Sequence, residues 1–323
     1  MENGQKEILR LCFQEGKGHW AYDDCGHLPP AEIQYRFRNA KYIPSRDPSW
    51  RSCGIHGFAL MFDGNSTRIA YPPEALLLGG SALTLSAWIA PRSFPCGDPE
   101  AAEGDLKGIT AVLGQVDPRA PRGILLGYEA FGRPCFQIGT GTARHTLRPE
   151  SARLVSGQWN HLAGVWDEAR AVMDLYVNGN PAGALTLPRG TRLAPAAGHA
   201  LLIGQNEGGK VISAGMMDMF CGLMGEIRIE SAALSPADIA ARASLPGPIG
   251  DRGRLSAFFS TLGASLTLDL YVDHSLTEGF FNGEKALSLR SYAPVGPRGI
   301  RFEGGSAVRI RRLRLWRMRP IWD

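Results

Sequence analysis

The chain has 323 residues, 44% of them hydrophobic, enough for a sizeable core in one large or two medium domains. No run of about 18 apolar residues occurs, so no membrane-spanning helix is expected. The net charge of +4 is unevenly held: residues 251–323 carry 12 Lys+Arg against 7 Asp+Glu, and the rest is close to neutral. The N-terminal MENGQKEILRLCF has no basic segment followed by an apolar stretch, so no secretory signal is expected and the default location is the cytoplasm. Six cysteines, at positions 12, 25, 53, 96, 135 and 221, form no C-x-x-C pair. The spacing gives a zinc site little support, and reduced, buried thiols are the default without a secretory signal. Forty Gly and 22 Pro suit many short strands joined by tight turns.

Taken in chain order, Ile8–Phe13 reads as a short apolar strand followed by Gln14-Glu15-Gly16-Lys17-Gly18. Residues 19–51 are polar with scattered aromatics and no clean period, which predicts long loops with a strand at Ile33–Phe37. Gly57–Asp63 is a strand that turns at Asp63-Gly64, and Leu83–Pro91 is another, with Leu83, Leu85, Ala87 and Ile89 on one face. Trp88 falls on the opposite face, which is either a ligand face or a surface under a loop. Strands follow at Ile109–Gln115, Ile124–Glu129 and Pro134–Gly139. Residues 157–183 predict a hairpin pair: two alternating strands around Asp167–Arg170, then a tight turn at Asn178-Gly179, which accepts positive φ. Leu201–Asn206 and Phe220–Ile229 are further strands. Ser235 caps a short helix, with Pro236 in its first turn and Asp238 three residues on.

Six of these phrases, in this order, resemble laminin G-like, concanavalin A-like jelly rolls: F-x-E-G-x-G at 13–18, G-x-A-L-x-F-D-G at 57–64, LTLSAWIAP, GQW-x-H-x-A…LYVNG, L-x-I-G-x-N at 201–206, and F-x-G-x-[IM]-D-E-[VI]-R-I at 220–229. The expected fold is all-β, a concanavalin A-like jelly-roll sandwich over residues 1–244. The Pro- and Gly-dense stretch 245–253 is expected to be a linker, and 254–323 a smaller, partial β-sandwich. In that tail, Leu268, Leu270, Tyr271, Val272, Asp273, Ser275, Glu278, Phe280, Asn282 and Gly283 fill a phrase that resembles the C-terminal module of glycoside hydrolase family 32, the invertase and levanase group. Departures are His274 where the family often has Arg and Gly279 where an apolar residue is usual.

The resemblance implies a fructan-related protein without its catalytic propeller. Retaining hydrolysis needs two carboxylates roughly 5 Å apart, and the family's E-C and N-D-P phrases are absent. Nine linker residues stand where about 300 would be needed, and Arg46-Asp47-Pro48 lies in the wrong half of the chain. The expectation is a non-catalytic carbohydrate-binding protein. The alternative is an accessory subunit of a β-fructofuranosidase or levanase whose propeller is a separate chain, because half a sandwich leaves an apolar face to cover, by the jelly roll, a partner or a second copy. Sugar binding needs aromatic faces and planar polar groups. The candidates are Trp20, Tyr22, Trp50 and Trp88, with Arg46, Asp47, Gln205 and Asn206. Trp159 and Trp166 belong to strand phrases and are expected in the core. Jelly rolls of this type often hold Ca²⁺, and Glu15, Asp63 and Glu226 are the candidate ligands, although Gly225 occupies the slot of the usual acid. The arginines at 309, 311, 312, 314, 317 and 319 alternate with apolar residues and read as a solvated strand face, so no nucleic acid is expected.

Overall fold

The computed structural model describes residues 7–35, 48–95, 106, 108–207, 211–212, 215–216, 219–244, 267–273, 276–281, 285–290, 293–294 and 312–316. The stretch expected to be a linker, 245–253, and most of the C-terminal arginine run lie outside them. In chain order the strands are β1 (Glu7–Leu11), β2 (Trp20–Ala21), β3 (Ala31–Gln34), β4 (Trp50–Gly54), β5 (Gly57–Asp63), β6 (Arg68–Tyr71) and β7 (Ala82–Pro91). Then come β8 (Thr110–Asp117), β9 (Arg122–Tyr128), β10 (Pro134–Thr140), β11 (Arg144–Leu147), β12 (Gln158–Asp167), β13 (Val172–Val177) and β14 (Asn180–Thr186). The remainder are β15 (Leu201–Ile203), β16 (Val211–Ile212), β17 (Gly215–Met216), β18 (Cys221–Glu230), helix α1 (Pro236–Ala243), β19 (Leu268–Asp273), β20 (Leu276–Phe281), β21 (Lys285–Arg290) and β22 (Ala293–Pro294).

Two antiparallel sheets pack face to face, as the all-β reading expects. Among the described residues the first runs β14-β13-β12-β7-β18-β5-β4, with β1 also paired to β18. The second runs β11-β10-β9-β8-β15-β6-β3-β2. Alternating residues fill the space between them: Leu83, Leu85, Ala87 and Ile89 from β7, Leu162 and Trp166 from β12, and Phe136 and Ile138 from β10. Strand ends differ from the sequence reading by a residue or two. The larger difference lies in 19–51, where β2, β3 and β4 extend both sheets. Of the strand expected at 33–37, residues 36 and 37 lie outside the described residues, and the described strand is Ala31–Gln34.

The hairpin strand β12 is buried on both faces, which simple alternation does not predict. Its inner face lies in the main core. On its outer face Ala163 and Val165 pack with Tyr176 beneath Ile239 of α1. At its start Trp159 joins Trp88, Ala59, Met61, Ala90 and Leu223 in a second apolar cluster outside the sandwich. Gly225 is closely packed in this cluster: a Cβ there would sit 3.0 Å from the Trp159 ring and 3.2 Å from Ile55, so a larger residue would have to push these side chains aside. The Asn178-Gly179 turn has φ of 52° and 79°, the left-handed pair that a two-residue hairpin requires. Ser235 caps α1 by accepting the Asp238 N–H, and Asp238 returns the bond to the Ser235 N–H.

In the tail, β19, β20 and β21 form an antiparallel three-stranded sheet. Strand β22 pairs in parallel with the start of β12, Gln158 opposite Ala293 and Trp159 opposite Pro294.

Candidate functional site

An open strip crosses the outer face of the second sheet at its β2 end. Trp20 lies opposite Glu32, and Gln34 lies opposite Arg68. Residues two apart on a strand share a face, so Trp20, Glu32, Gln34 and Arg68 project on the same side. The alternate residues Ala21, Ala31, Ile33 and Ile69 are buried in the core on the other. Arg68 ties the row together: its Nε donates to Gln34 Oε1 at 2.7 Å and its Nη1 to Gln205 Oε1 at 2.6 Å, reaching the end of β15. Trp20 is 46% exposed, and Tyr22, which follows it, is 52% exposed. Three strand spacings separate β2 from β15, about 14 Å. The strip therefore offers an exposed aromatic face at one end and the half-buried Gln34–Arg68 pair next to it, while Gln205 at the far end is only 5% exposed and serves to hold Arg68.

Of the eight residues expected at a ligand face, Trp20, Tyr22 and Gln205 lie at this strip, and Arg46 and Asp47 lie outside the described residues. The other three are placed elsewhere by packing. Trp50 donates its indole N–H to the Gly18 carbonyl at 3.1 Å and tilts against Phe13, 6.5 Å between ring centres. Trp88 is buried in the second apolar cluster. Asn206 is 1% exposed and donates to the carbonyls of Leu106 and Ile109, fixing the segment that enters β8. Sequence reasoning missed Gln34 and Arg68. Each is an ordinary polar strand residue until the register sets them side by side.

The expected calcium ligands do not converge. Glu15 accepts the Tyr22 N–H at 3.0 Å. Asp63 accepts the N–H groups of Asn65, Ser66 and Thr67 and the Ser66 hydroxyl. Burial pushes the Asp63 carboxyl up, but these bonds outweigh it and hold it below its ordinary value. Its oxygens are spent on their own turn. Glu226 belongs to a different group. This donor set does not fit one calcium ion.

Glu226 sits in a row across the outer face of the first sheet. It lies opposite Trp88, which lies opposite His161. Glu226 Oε1 accepts from Arg10 Nε at 3.1 Å and from Arg228 Nε at 2.7 Å and Nη2 at 2.6 Å. The His56 ring nitrogen Nε2 stands 3.5 Å from Oε2, and the Cys12 thiol donates toward Oε1 at 3.9 Å. Burial raises the Glu226 carboxyl, yet the His56 ring and the Arg228 guanidinium outweigh it and bring it down to about 2. The other buried carboxylates are also engaged by guanidinium groups. Glu129 accepts from Arg133 and Arg148, and Glu230 accepts from Arg242.

His161 is 2% exposed, its ring 5.2 Å from that of Trp88, and its Nδ1 is buried without a hydrogen-bond partner. Burial lowers its pKa from 6.5 to about 4, against a smaller upward pull from Glu226. Between those values the unfolded chain binds a proton that the folded chain refuses, so stability falls as pH falls from about 6.5 to about 4. A tenfold difference in proton affinity is worth about 1.4 kcal/mol, so the full loss approaches about 3 kcal/mol. Urea unfolding at pH 7 and pH 4 is expected to show this loss in the parent chain and a much flatter response in His161→Gln.

A family description covers this architecture. Residues 63–240, more than half of the chain, match the family model described as the concanavalin A-like lectin/glucanases superfamily. The chain belongs to that superfamily. Among solved structures, this superfamily member is similar to domain 4 of AbnA, a GH43 extracellular arabinanase from Geobacillus stearothermophilus, solved in complex with arabinotriose. The identity is 20% and the TM-score 0.51, over 74% of this chain and 98% of that one. It is also similar to the CBM40 of the Ruminococcus gnavus IT-sialidase, bound to α2,3-sialyllactose, with 13% identity and a TM-score of 0.43 over 58% and 96% of the two chains. At these identities the likeness is one of fold. No curated protein matches the chain in sequence. Among its described residues no helix is long and apolar enough to cross a membrane.

Proposed function

We propose that the chain is a non-catalytic carbohydrate-binding protein that holds a glycan along the outer face of its second sheet. The observation that carries this reading is the register that sets exposed Trp20 on the same face as the Gln34–Arg68 pair, which buried Gln205 holds in place. A tryptophan face covers the C–H surface of a sugar ring, and the fixed amide and guanidinium groups meet its hydroxyls. That the arabinanase domain was solved with arabinotriose is in keeping with an oligosaccharide as ligand. The tail phrase from Leu268 to Gly283, with its likeness to family 32 hydrolases, points to fructan. In this reading the chain divides into a jelly roll over 1–244, a linker over 245–253 and a family 32 fragment over 254–323.

The test is affinity electrophoresis through gels containing levan, inulin, arabinan or β-glucan, each with calcium and with chelator. Retardation is expected in a fructan gel. Trp20→Ala is expected to weaken binding by about 2 kcal/mol, roughly 30-fold, as loss of a central aromatic contact does. Because Trp20 is half exposed, the variant is expected to keep the parent's melting temperature. Unchanged retardation in Trp20→Ala would overturn the strip, and retardation unaffected by chelator would show that glycan binding needs no calcium.

The second reading is an accessory subunit for a propeller on another chain. Consecutive residues on β19 face opposite sides, and Leu270 and Tyr271 are both exposed, so apolar side chains are exposed on both faces of that strand. Leu315 and Trp316 are 70% and 74% exposed. Apolar surface of this kind marks an interaction site. No retardation in any gel, together with co-purification of a propeller protein, would favour this reading over the first.

A further inference from the structure

We propose that Cys12, His56 and Glu226 form a binding site for a zinc-class divalent metal ion. The three residues come from separate parts of the chain: Cys12 just beyond the end of β1, His56 in the turn between β4 and β5, and Glu226 in β18. One donor atom from each lies within 4.8 Å of the other two. Zinc holds sulfur at about 2.3 Å and nitrogen or oxygen at about 2.0–2.2 Å, so tetrahedral donors stand about 3.4–3.6 Å apart. The His56 Nε2–Glu226 Oε2 distance of 3.5 Å already matches that spacing, and Cys12 Sγ stands 3.9 Å from Glu226 Oε1. Drawing donors that now lie within 4.8 Å of one another in to that spacing completes the set.

A second observation points the same way. His56 Nε2 is buried, and the Glu226 Oε2 beside it, at 3.5 Å, is too far for a full hydrogen bond. A buried ring nitrogen so weakly matched is costly, and a metal ion between the two would satisfy both. The donor chemistry selects the class of ion. A thiolate, an imidazole and a single carboxylate suit zinc, whereas calcium takes six to eight oxygens. Arg10 and Arg228 hold Glu226 by Oε1 and so turn Oε2 toward His56, the kind of outer support that orients ligating carboxylates. On loading, the metal–sulfur bond replaces the Cys12 S–H bond and the proton leaves to water. The thiolate charge is then balanced by the metal and by Arg10. Three protein donors leave a fourth position for water. The ion would pin the first strand and the β4–β5 turn to β18.

The test uses the full chain, stripped with chelator and titrated with Co²⁺, whose thiolate complexes absorb in the near ultraviolet. The expected result is a sulfur-to-cobalt band that saturates at one equivalent, is displaced by Zn²⁺ and is unaffected by Ca²⁺. Cys12→Ser is expected to lose the band, and His56→Gln to weaken Co²⁺ binding at least about tenfold. No band in folded parent protein, a band that survives Cys12→Ser, or displacement by equimolar Ca²⁺ would each overturn the proposal. If Cys12→Ser fails to fold, His56→Gln decides, because His56 lies on a turn: unchanged affinity there would also overturn it.

Discussion

Replacing Glu226 with glutamine is expected to lower the unfolding free energy at pH 7 by about 3–5 kcal/mol, the cost of removing one partner from a buried ion network. The substitution keeps the side chain's shape and removes its charge. Arg10 and Arg228 are then left against an amide oxygen on the covered outer face of the first sheet, where the Glu226 side chain is 4% exposed. The effect has a second signature. Glu226 titrates at about 2 in the folded chain against 4.5 ordinarily, so its contribution is fully present above about pH 4.5 and is lost as pH falls toward 2. Stability measured between pH 4.5 and 2 is therefore expected to fall less steeply in Glu226→Gln than in the parent. A loss under about 1 kcal/mol at pH 7, with an unchanged acid slope, would show that the guanidinium groups find water instead. His161 acts in a separate window, above pH 4, so the two effects can be resolved in one pH series.

The second large effect is expected between the sheets. Phe136, from β10, is fully buried and fills the space over Gly164 of β12, where an added Cβ would stand 2.5 Å from the ring. Phe136→Ala is expected to cost about 3–5 kcal/mol, through lost burial and the cavity left behind. Gly164→Ala alone is expected to cost about 1–3 kcal/mol by overpacking. The double variant tests the geometry, because removing the ring gives the new methyl a place. Its cost is expected to fall well below that of the two single variants taken together. Strict additivity, measured by denaturant unfolding of all four proteins, would mean that the two positions do not meet in the folded chain.

The main sheets were legible in the sequence because their strands are long, alternate cleanly and end in turns with strong chemistry, as at Asp63-Gly64 and Asn178-Gly179. The cap of α1 was legible for the same reason: Ser235, Pro236 and Asp238 act on their immediate neighbours. What escaped the sequence was anything set by pairing between distant segments. Strand β2 has two residues, too few for a period, and exists because β3 lies beside it. Arg68 gains its place in the candidate strip only when β6 pairs with β3 and β15. Trp159 was expected in the core and is buried, whereas Trp88, expected at a ligand face, is buried in the same cluster. Burial on the outer face depends on Gly225 and Ile55, far along the chain from both. The Cys12–His56–Glu226 group was hidden likewise, because cysteine spacing detects metal sites only when the ligands are close in sequence. Within that group, Glu226 alone stood among the expected metal ligands, on the strength of its family phrase.

Strand β18 stands between β7 on one side and β5 and β1 on the other. The middle of the first sheet is thus made by the last long strand of the jelly roll, and residue 7 waits for residue 230. During synthesis the earlier strands must remain without their central neighbour until nearly the whole domain has left the ribosome. Closing so long a loop before its contacts can form makes for slow folding and prolonged exposure of unpaired strand edges. A nascent chain stopped before Cys221 has no means of completing that sheet, so assembly is committed at its end rather than built up from its beginning.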